Sequence, residues 1–126
     1  MAREFSILDW SFPANTDLSS YQYYAVSLSS GKLILGTGPT VKAFILQDKP
    51  NAENVMGTVR LLGISKAKLG GTVTAGNRLC SHTDGTLIAV TGATDRVVAT
   101  ALQSGVAADI IEVLCVPGFT YAAATD

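Results

Sequence analysis

The stretch "GISKAKLGGTVTAGNRLCSHTDG", residues 63–85, strings short apolar segments between glycine-rich turns. Gly70 and Gly71 predict a tight reversal in which glycine supplies a positive φ. Ala75-Gly76-Asn77 predicts a second turn, and Asp84-Gly85 predicts a hairpin closed by a two-residue primed turn. Because each glycine falls where the chain has to reverse, this stretch indicates a β architecture and not a loop that binds a ligand.

The same pattern of short strands and turns continues outward in both directions. Helix formers at a spacing of 3.6 residues are missing, while threonine, valine, isoleucine and glycine recur throughout the chain. Gly31 predicts a hairpin, and Gly63, inside the longest strand, predicts a bulge or a bend at a barrel corner. Strands are predicted at residues 21–28, 32–35, 41–47, 58–69, 78–81, 87–90, 96–102 and 110–116.

These strands predict a mostly β protein, a small antiparallel barrel or sandwich of the β-tulip kind, with little helix and an extended N-terminal arm. The last strand, residues 110–116, is apolar on both faces except at Glu112, which predicts a central position in the sheet. We expect a single β domain over residues 21–118, an arm over residues 1–20 and a tail over residues 119–126.

Composition narrows the classes of partner. The chain has 126 residues, of which 48% are hydrophobic and 15% charged, with a formal net charge of −1. This predicts one soluble domain with a real core and argues against binding to nucleic acid, which demands basic residues. The chain also lacks an apolar run long enough to span a membrane and the apolar core of a secretion signal, so we expect synthesis in the cytosol and no membrane partner.

Residues that could carry chemistry are few and scattered. His82, the only histidine, is predicted to lie in a solvated turn, and Ser81-His82-Asp84 is no credible triad because triad partners converge through the fold. Glu112 is predicted to face solvent or to pair with a lysine or arginine. Cys80 and Cys115 are predicted to be buried, reduced thiols, since a zinc site needs four ligands and usually close pairs. No catalytic residue, cofactor or metal is expected.

Residues 58–118 resemble the head decoration, or cement, proteins of tailed bacteriophages, of the lambda-type head decoration-like family. The resemblance is carried by "GISKAKLGG", "VTAGNRL", "DGTLIAV", "VVATAL" and "IIEVLCVPG". The sequence departs from that family's pattern at Thr100 and at Ala108-Asp109, where the family often has glycine and Gly-Asp.

The resemblance implies a structural protein that is not an enzyme. Such proteins are virion components that bind the major capsid protein on the outer surface of the head, usually as homotrimers at the junctions between capsomers. They hold the shell against the pressure of the packaged DNA, and they are assembled onto it in the host cytoplasm.

The first residues of the chain concentrate large apolar side chains. The segment "REFSILDWSFPANTD", residues 3–17, is either an arm that adds as a strand to the shell protein or to a neighbouring subunit, or the first strand of the domain's own sheet. The arm interpretation predicts that deleting residues 2–16 leaves the melting behaviour nearly unchanged. The residues predicted to form a capsid or subunit interface are Phe5, Ile7, Leu8, Trp10, Phe12, Tyr21 and Tyr23.

Two other functions stay open at this stage. The aromatic residues of the N-terminal third are also compatible with a small β-barrel module that binds a carbohydrate or another ligand. An enzyme would have to act through His82, the only imidazole, and Glu112, the acid on an otherwise apolar strand.

Overall fold

The computed structural model describes residues 4–40, 42–92 and 95–115 and, for Phe5 and Ser6, the backbone alone. The predicted tail over residues 119–126 lies outside the described residues. Within them the chain is all β, without a helix, as the sequence predicts. The nine strands are β1 (Phe5–Pro13), β2 (Ala25–Ser29), β3 (Lys32–Leu35), β4 (Phe44–Leu46), β5 (Met56–Lys68), β6 (Arg78–Ser81), β7 (Leu87–Ala89), β8 (Ala99–Ala101) and β9 (Ile110–Cys115).

The strands form one curled antiparallel sheet in the order β3-β2-β4-β5-β9-β8-β6-β7, with β1 paired to β5. A parallel bridge joins Leu69 to Leu87, and the Gly70 N–H donates to the Leu87 carbonyl at 2.9 Å. These contacts bring β7 back to the end of β5, which curls the sheet into a small barrel. The predicted fold class is confirmed, and so is the central position of β9, which lies between β5 and β8.

Strand β5 is the longest and organises the sheet, because β1, β4 and β9 all pair with it. Gly63 in its middle has φ +127°, and the pairing with β1 changes register twice between Ser6 and Asp9. The predicted bulge is therefore present. Because a bulge bends the strand, the first half of β5 can pair with β4 while the second half pairs with β9.

Buried apolar side chains form two clusters. The first lies inside the barrel and draws on β2, β4, β5, β6, β7, β8 and β9; it includes Ile45, Leu69, Val73, Leu79, Leu87 and Val113. Val73, which lies between the two glycine-containing turns, belongs to it. The second cluster lies around β1, β2 and β3 and comprises Ala14, Leu18, Val26, Leu33, Leu46 and Val59.

Three local predictions require correction. The predicted strand over residues 21–28 begins only at Ala25, because Tyr23 has φ +70° and residues 21–24 form a turn. The 84–85 turn is not a two-residue primed turn: the Gly85 N–H donates to the His82 carbonyl at 3.0 Å, and positive φ occurs at Gly85 and not at Asp84. Gly70 and Gly71 lack a positive φ, and at Gly70 a Cβ would instead overlap the side chain of Thr86.

The structure also bears on the two interpretations of the first residues. Segment 5–13 is a strand of the chain's own sheet, antiparallel to β5 from Phe5↔Ile64 to Pro13↔Met56. Ala14, just beyond it, is fully buried. That result does not test the predicted contact with a shell or a subunit, which stays a prediction about the surface that β1 leaves exposed.

Candidate functional site: the exposed surface of β1

Strand β1 exposes large apolar side chains although it belongs to the sheet. Ile7 and Trp10 are each 61% exposed and Leu8 is 45% exposed. Beside them, Met56 at the start of β5 is 54% exposed and lies opposite Pro13 in the ladder. We call Ile7, Leu8, Trp10 and Met56 the β1 surface. Exposed side chains of this size are typical anchors of protein interfaces when they lie together.

Two residues of the β1 surface, Leu8 and Trp10, adjoin the second core cluster. Trp10 lies opposite the buried Val59, and Phe12 lies opposite Gly57, so these side chains share the sheet face that carries the cluster. Phe12 packs against the cluster and stacks on Phe44 with 6.4 Å between the ring centroids. Trp10 and Leu8 extend the same face beyond the area that the described residues cover.

A buried ion pair fixes β1 on β5. Arg60 donates from Nε to Asp9 Oδ1 at 2.9 Å and from Nη2 to Asp9 Oδ2 at 3.1 Å, and these two residues are also ladder partners. A third bond runs from Nη1 to the Ile64 carbonyl at 2.7 Å, and Glu4 lies 3.6 Å from the same nitrogen. The hydrogen bond to Asp9 raises the pKa of Arg60, so the guanidinium stays charged.

The two tyrosines that were predicted to lie at an interface, Tyr21 and Tyr23, do not belong to the β1 surface. Tyr21 packs against the second cluster and meets the Tyr24 ring edge-on at 5.2 Å between centroids. Tyr23 is half-buried, and Lys66 Nζ lies 5.6 Å from its ring centroid. Tyr21 and Phe12 are therefore partly buried against the core. The side chain of Phe5 lies outside the part of the chain that the structure describes.

The sequence missed Val55 and Met56 as surface residues. Both lie near the end of the mostly polar segment 47–57, and their exposure depends on where β5 begins relative to Pro13. A second set of exposed apolar side chains was also missed, at the other side of the sheet: Leu102, Val106, Ile110 and Leu114. Ile110 and Leu114 were missed because the apolar residues on both faces of β9 indicated a central position in the sheet; Leu102 and Val106 lie before β9, where the sequence has no such pattern.

The residues considered for chemistry do not meet in one place. His82 lies in the turn before β7, partly exposed, while Glu112 lies on β9 opposite Lys66 of β5, with 9% of its surface exposed. In the described part of the chain, no group of three or more histidine, cysteine or acidic side chains could hold a metal ion. No described helix is long and apolar enough to cross a membrane.

The two cysteines are buried and unlinked, as predicted. Cys115 pairs with Ala99, which pairs with Leu79, so Cys80 lies two strands away and on the opposite face. Burial raises the pKa of each thiol to about 12. Such thiols are protonated and unreactive near neutral pH. The Cys80 thiol also donates to Asp95 Oδ2 at 3.9 Å.

One groove of about 410 Å³ opens near β6 and β7. Its lining residues are Gly76, Asn77, Arg78, Ala89 and Val90. None of the aromatic residues that suggested a carbohydrate-binding module lines it. The β1 surface is therefore the candidate site that the described geometry supports best.

The comparisons with known proteins concern the fold. No family model matches the sequence, and no curated protein matches it. The structure is similar to the crystal structure of the N base of head fiber gp8.5 in bacteriophage phi29, with a TM-score of 0.61 and 14% identity, over 86% of this chain and 92% of that one. The comparisons do not show membership of the lambda-type decoration family; they show that this chain shares its fold with the base of a phage head fiber.

Proposed function

We propose that the protein is a structural component of a tailed-phage virion that binds the outer surface of the head. The observation that carries the proposal is the shared fold with a phage head fiber base, which extends over 86% of this chain. The β1 surface supports it, because a protein that acts by attachment needs exposed apolar area. In this proposal the protein acts by attachment to the head and does not catalyse a reaction.

In its finer form, the proposal is that the protein decorates the shell at junctions between capsomers and stabilises it against internal pressure. The major capsid protein is then the partner, and the protein is assembled onto the head in the host cytoplasm, as a trimer according to the sequence resemblance. Many weakly bound copies on a lattice would together stabilise the shell, because avidity multiplies small contact energies.

The test is the binding of the purified protein to expanded heads prepared without it. We expect saturable binding to the heads and an increase in the temperature at which they release DNA. Heads that neither bind the protein nor gain heat resistance would contradict the proposal.

A matched pair of variants tests the surface. Ile7→Ser together with Met56→Ser removes two exposed apolar side chains from the β1 surface, whereas Val106→Ser removes one that is 55% exposed in the segment between β8 and β9. We expect the double variant to weaken binding at least about tenfold, since one buried aliphatic side chain contributes about 1.5–3 kcal/mol. Val106→Ser should bind like the parent, and equal weakening by both would contradict the assignment of the surface.

A further inference from the structure

Within the part of the chain that the structure describes, one long edge of strand β1 has no paired strand. Among the described residues its ladder partner is β5 alone. The two end strands of the sheet, by contrast, are covered in part. The Asn15 N–H donates to the Leu33 carbonyl of β3 at 2.9 Å, and Leu69 forms a bridge to Leu87 of β7. An uncovered strand edge is a template for pairing with another strand.

The backbone groups that face this edge follow from the pairing on β5. Thr58 directs both of its backbone groups away from β1, because its N–H donates to Asp48 Oδ1 at 3.0 Å and its carbonyl accepts from the Gln47 N–H at 2.8 Å. Ser11, opposite Thr58, is therefore in a pair without mutual hydrogen bonds, and its N–H and C=O point to the open edge. The same alternation places the N–H and C=O of Asp9 on that edge.

Over residues 9–12 the edge has little protection against pairing, because the register shifts lie between Ser6 and Asp9 and Pro13 is the last residue of the strand. Natural edge strands carry lysine, proline or inward charges, but between Phe5 and Pro13 the one charged residue is Asp9. Its carboxylate is already held by Arg60 of the same chain. A second strand can therefore approach residues 9–12 without meeting an uncompensated charge.

We propose that two copies of the chain pair their β1 strands antiparallel across a two-fold axis at Trp10. In that register Asp9 lies opposite the partner's Ser11, and Ser11 lies opposite the partner's Asp9. Each residue donates its outward N–H to the carbonyl of the residue opposite, which gives four hydrogen bonds across the two-fold axis. A register centred on Asp9 would place two carboxylates face to face. One centred on Ser11 would place Asp9 opposite the partner's Pro13, which has no N–H.

The same register matches the side chains. Trp10 lies beside the partner's Trp10 at a pair without hydrogen bonds, where antiparallel strands bring side chains closest, and Leu8 lies opposite the partner's Phe12. These side chains lie on the face of the second core cluster, so the two clusters become one apolar layer across the seam. A two-fold contact is compatible with a trimer, since it can link copies that belong to adjacent trimers.

The inference does not rest on the proposed function, and disulfide trapping tests it without phage heads. Trp10→Cys places two thiols directly across the two-fold axis, within reach of a disulfide. Leu8→Cys, at a similarly exposed position, places them four residues out of register, roughly 13 Å apart and beyond that reach. Because Cys80 and Cys115 are buried, they do not compete. Under mild oxidation of the full chain, we expect Trp10→Cys to double its mass from 13.1 kDa on a non-reducing gel and Leu8→Cys not to.

A second pair of variants tests the backbone pairing. Ser11→Pro, added to Trp10→Cys, removes an outward N–H at an edge position where proline is tolerated, and it should abolish the crosslink. Ser11→Ala loses the same hydroxyl contact to Thr58, 3.2 Å in the parent, but keeps the N–H, and it should crosslink normally. Failure of Trp10→Cys to crosslink, or equal crosslinking of Trp10→Cys and Leu8→Cys, would overturn the proposal.

Discussion

The Arg60 guanidinium is nearly inaccessible to water, with 8% of its side chain exposed, and Asp9 supplies both oxygens of a bidentate pair. A buried cation that loses its anion is destabilising, because its desolvation is no longer offset. We therefore expect Asp9→Ala to lower the free energy of unfolding by about 2–4 kcal/mol, measured by urea denaturation.

Glu53→Ala is the matched control for that variant. It removes the carboxylate of the exposed pair with Lys32, whose atoms are 3.3 Å apart. Exposed pairs contribute little, so the expected loss is below about 1 kcal/mol. Equal losses in the two variants would show that Arg60 does not depend on Asp9.

Gly85 is a second residue whose identity the backbone dictates. Its φ is +84°, and a Cβ there would lie 2.5 Å from Leu35 Cδ1. At Gly38 the backbone is ordinary and no atom lies within 4 Å of the position that a Cβ would take. We expect Gly85→Ala to destabilise the fold by roughly 1–3 kcal/mol. Gly38→Ala should leave the thermal midpoint almost unchanged, and two similar midpoints would contradict this account.

At the scale of the element, the strands themselves were largely predictable. The spacing of apolar residues located β3 and β6 at their observed bounds, and Gly63 correctly indicated a bulge in β5. The ends of the strands were harder to predict from the sequence. Tyr23 adopts a positive φ that its residue type disfavours, and residues 21–24 are held as a turn by backbone bonds to β4 and β5, far away in sequence. Such bonds leave no periodic signal.

Strand β1 gives the sharpest prediction at this scale. Deleting residues 2–16 removes the partner of β5 over Met56–Ile64 and the buried Ala14, and it leaves Arg60 without Asp9. We now expect the truncated protein to lose cooperative thermal unfolding or to melt at a much lower temperature, as followed by circular dichroism. Ile7→Ser, which changes one exposed side chain, should melt like the parent. A truncated protein with the parent's midpoint would support the arm interpretation instead.

At the scale of the whole molecule, stability should depend on alkaline pH through the two thiols. Burial raises the pKa of Cys80 and of Cys115 to about 12 from an ordinary value of 9.0, so the folded chain keeps two protons that the unfolded chain releases. Their contribution to stability is complete below pH 9 and is lost as the pH rises toward 12. The expected slope is a loss of about 1.4 kcal/mol per pH unit for each thiol.

The control for this slope is the double variant Cys80→Ala with Cys115→Ala. Its stability is lower near neutral pH because two buried side chains are shortened, but its decline above pH 9 should be shallower than the parent's, so the two curves converge toward pH 12. Urea denaturation at a series of pH values measures both curves. Parallel curves would show that the buried thiols do not contribute to the alkaline loss.

The sequence predicted which segment contributes most of the candidate site, but not which of its side chains are exposed. The density of large apolar residues in segment 5–12 pointed to Ile7, Leu8 and Trp10, which are indeed exposed, yet the same reasoning included Phe12, which packs on the core. Both faces of this segment are apolar, so alternation could not separate them. Their separation depends on the ladder with β5, which places Phe12 beside Phe44 and leaves Trp10 at the margin.

The pairing of β1 with β5 has a consequence for synthesis. The first strand leaves the ribosome early, but its ladder partner follows about 50 residues later, a delay of roughly 3–10 s at ordinary translation rates. Throughout that interval the nascent chain displays residues 5–12 without their ladder partner. This segment is therefore where a ribosome-associated chaperone would bind, and slowing translation should increase aggregation of the wild-type chain more than of a variant with serine at positions 7 and 10.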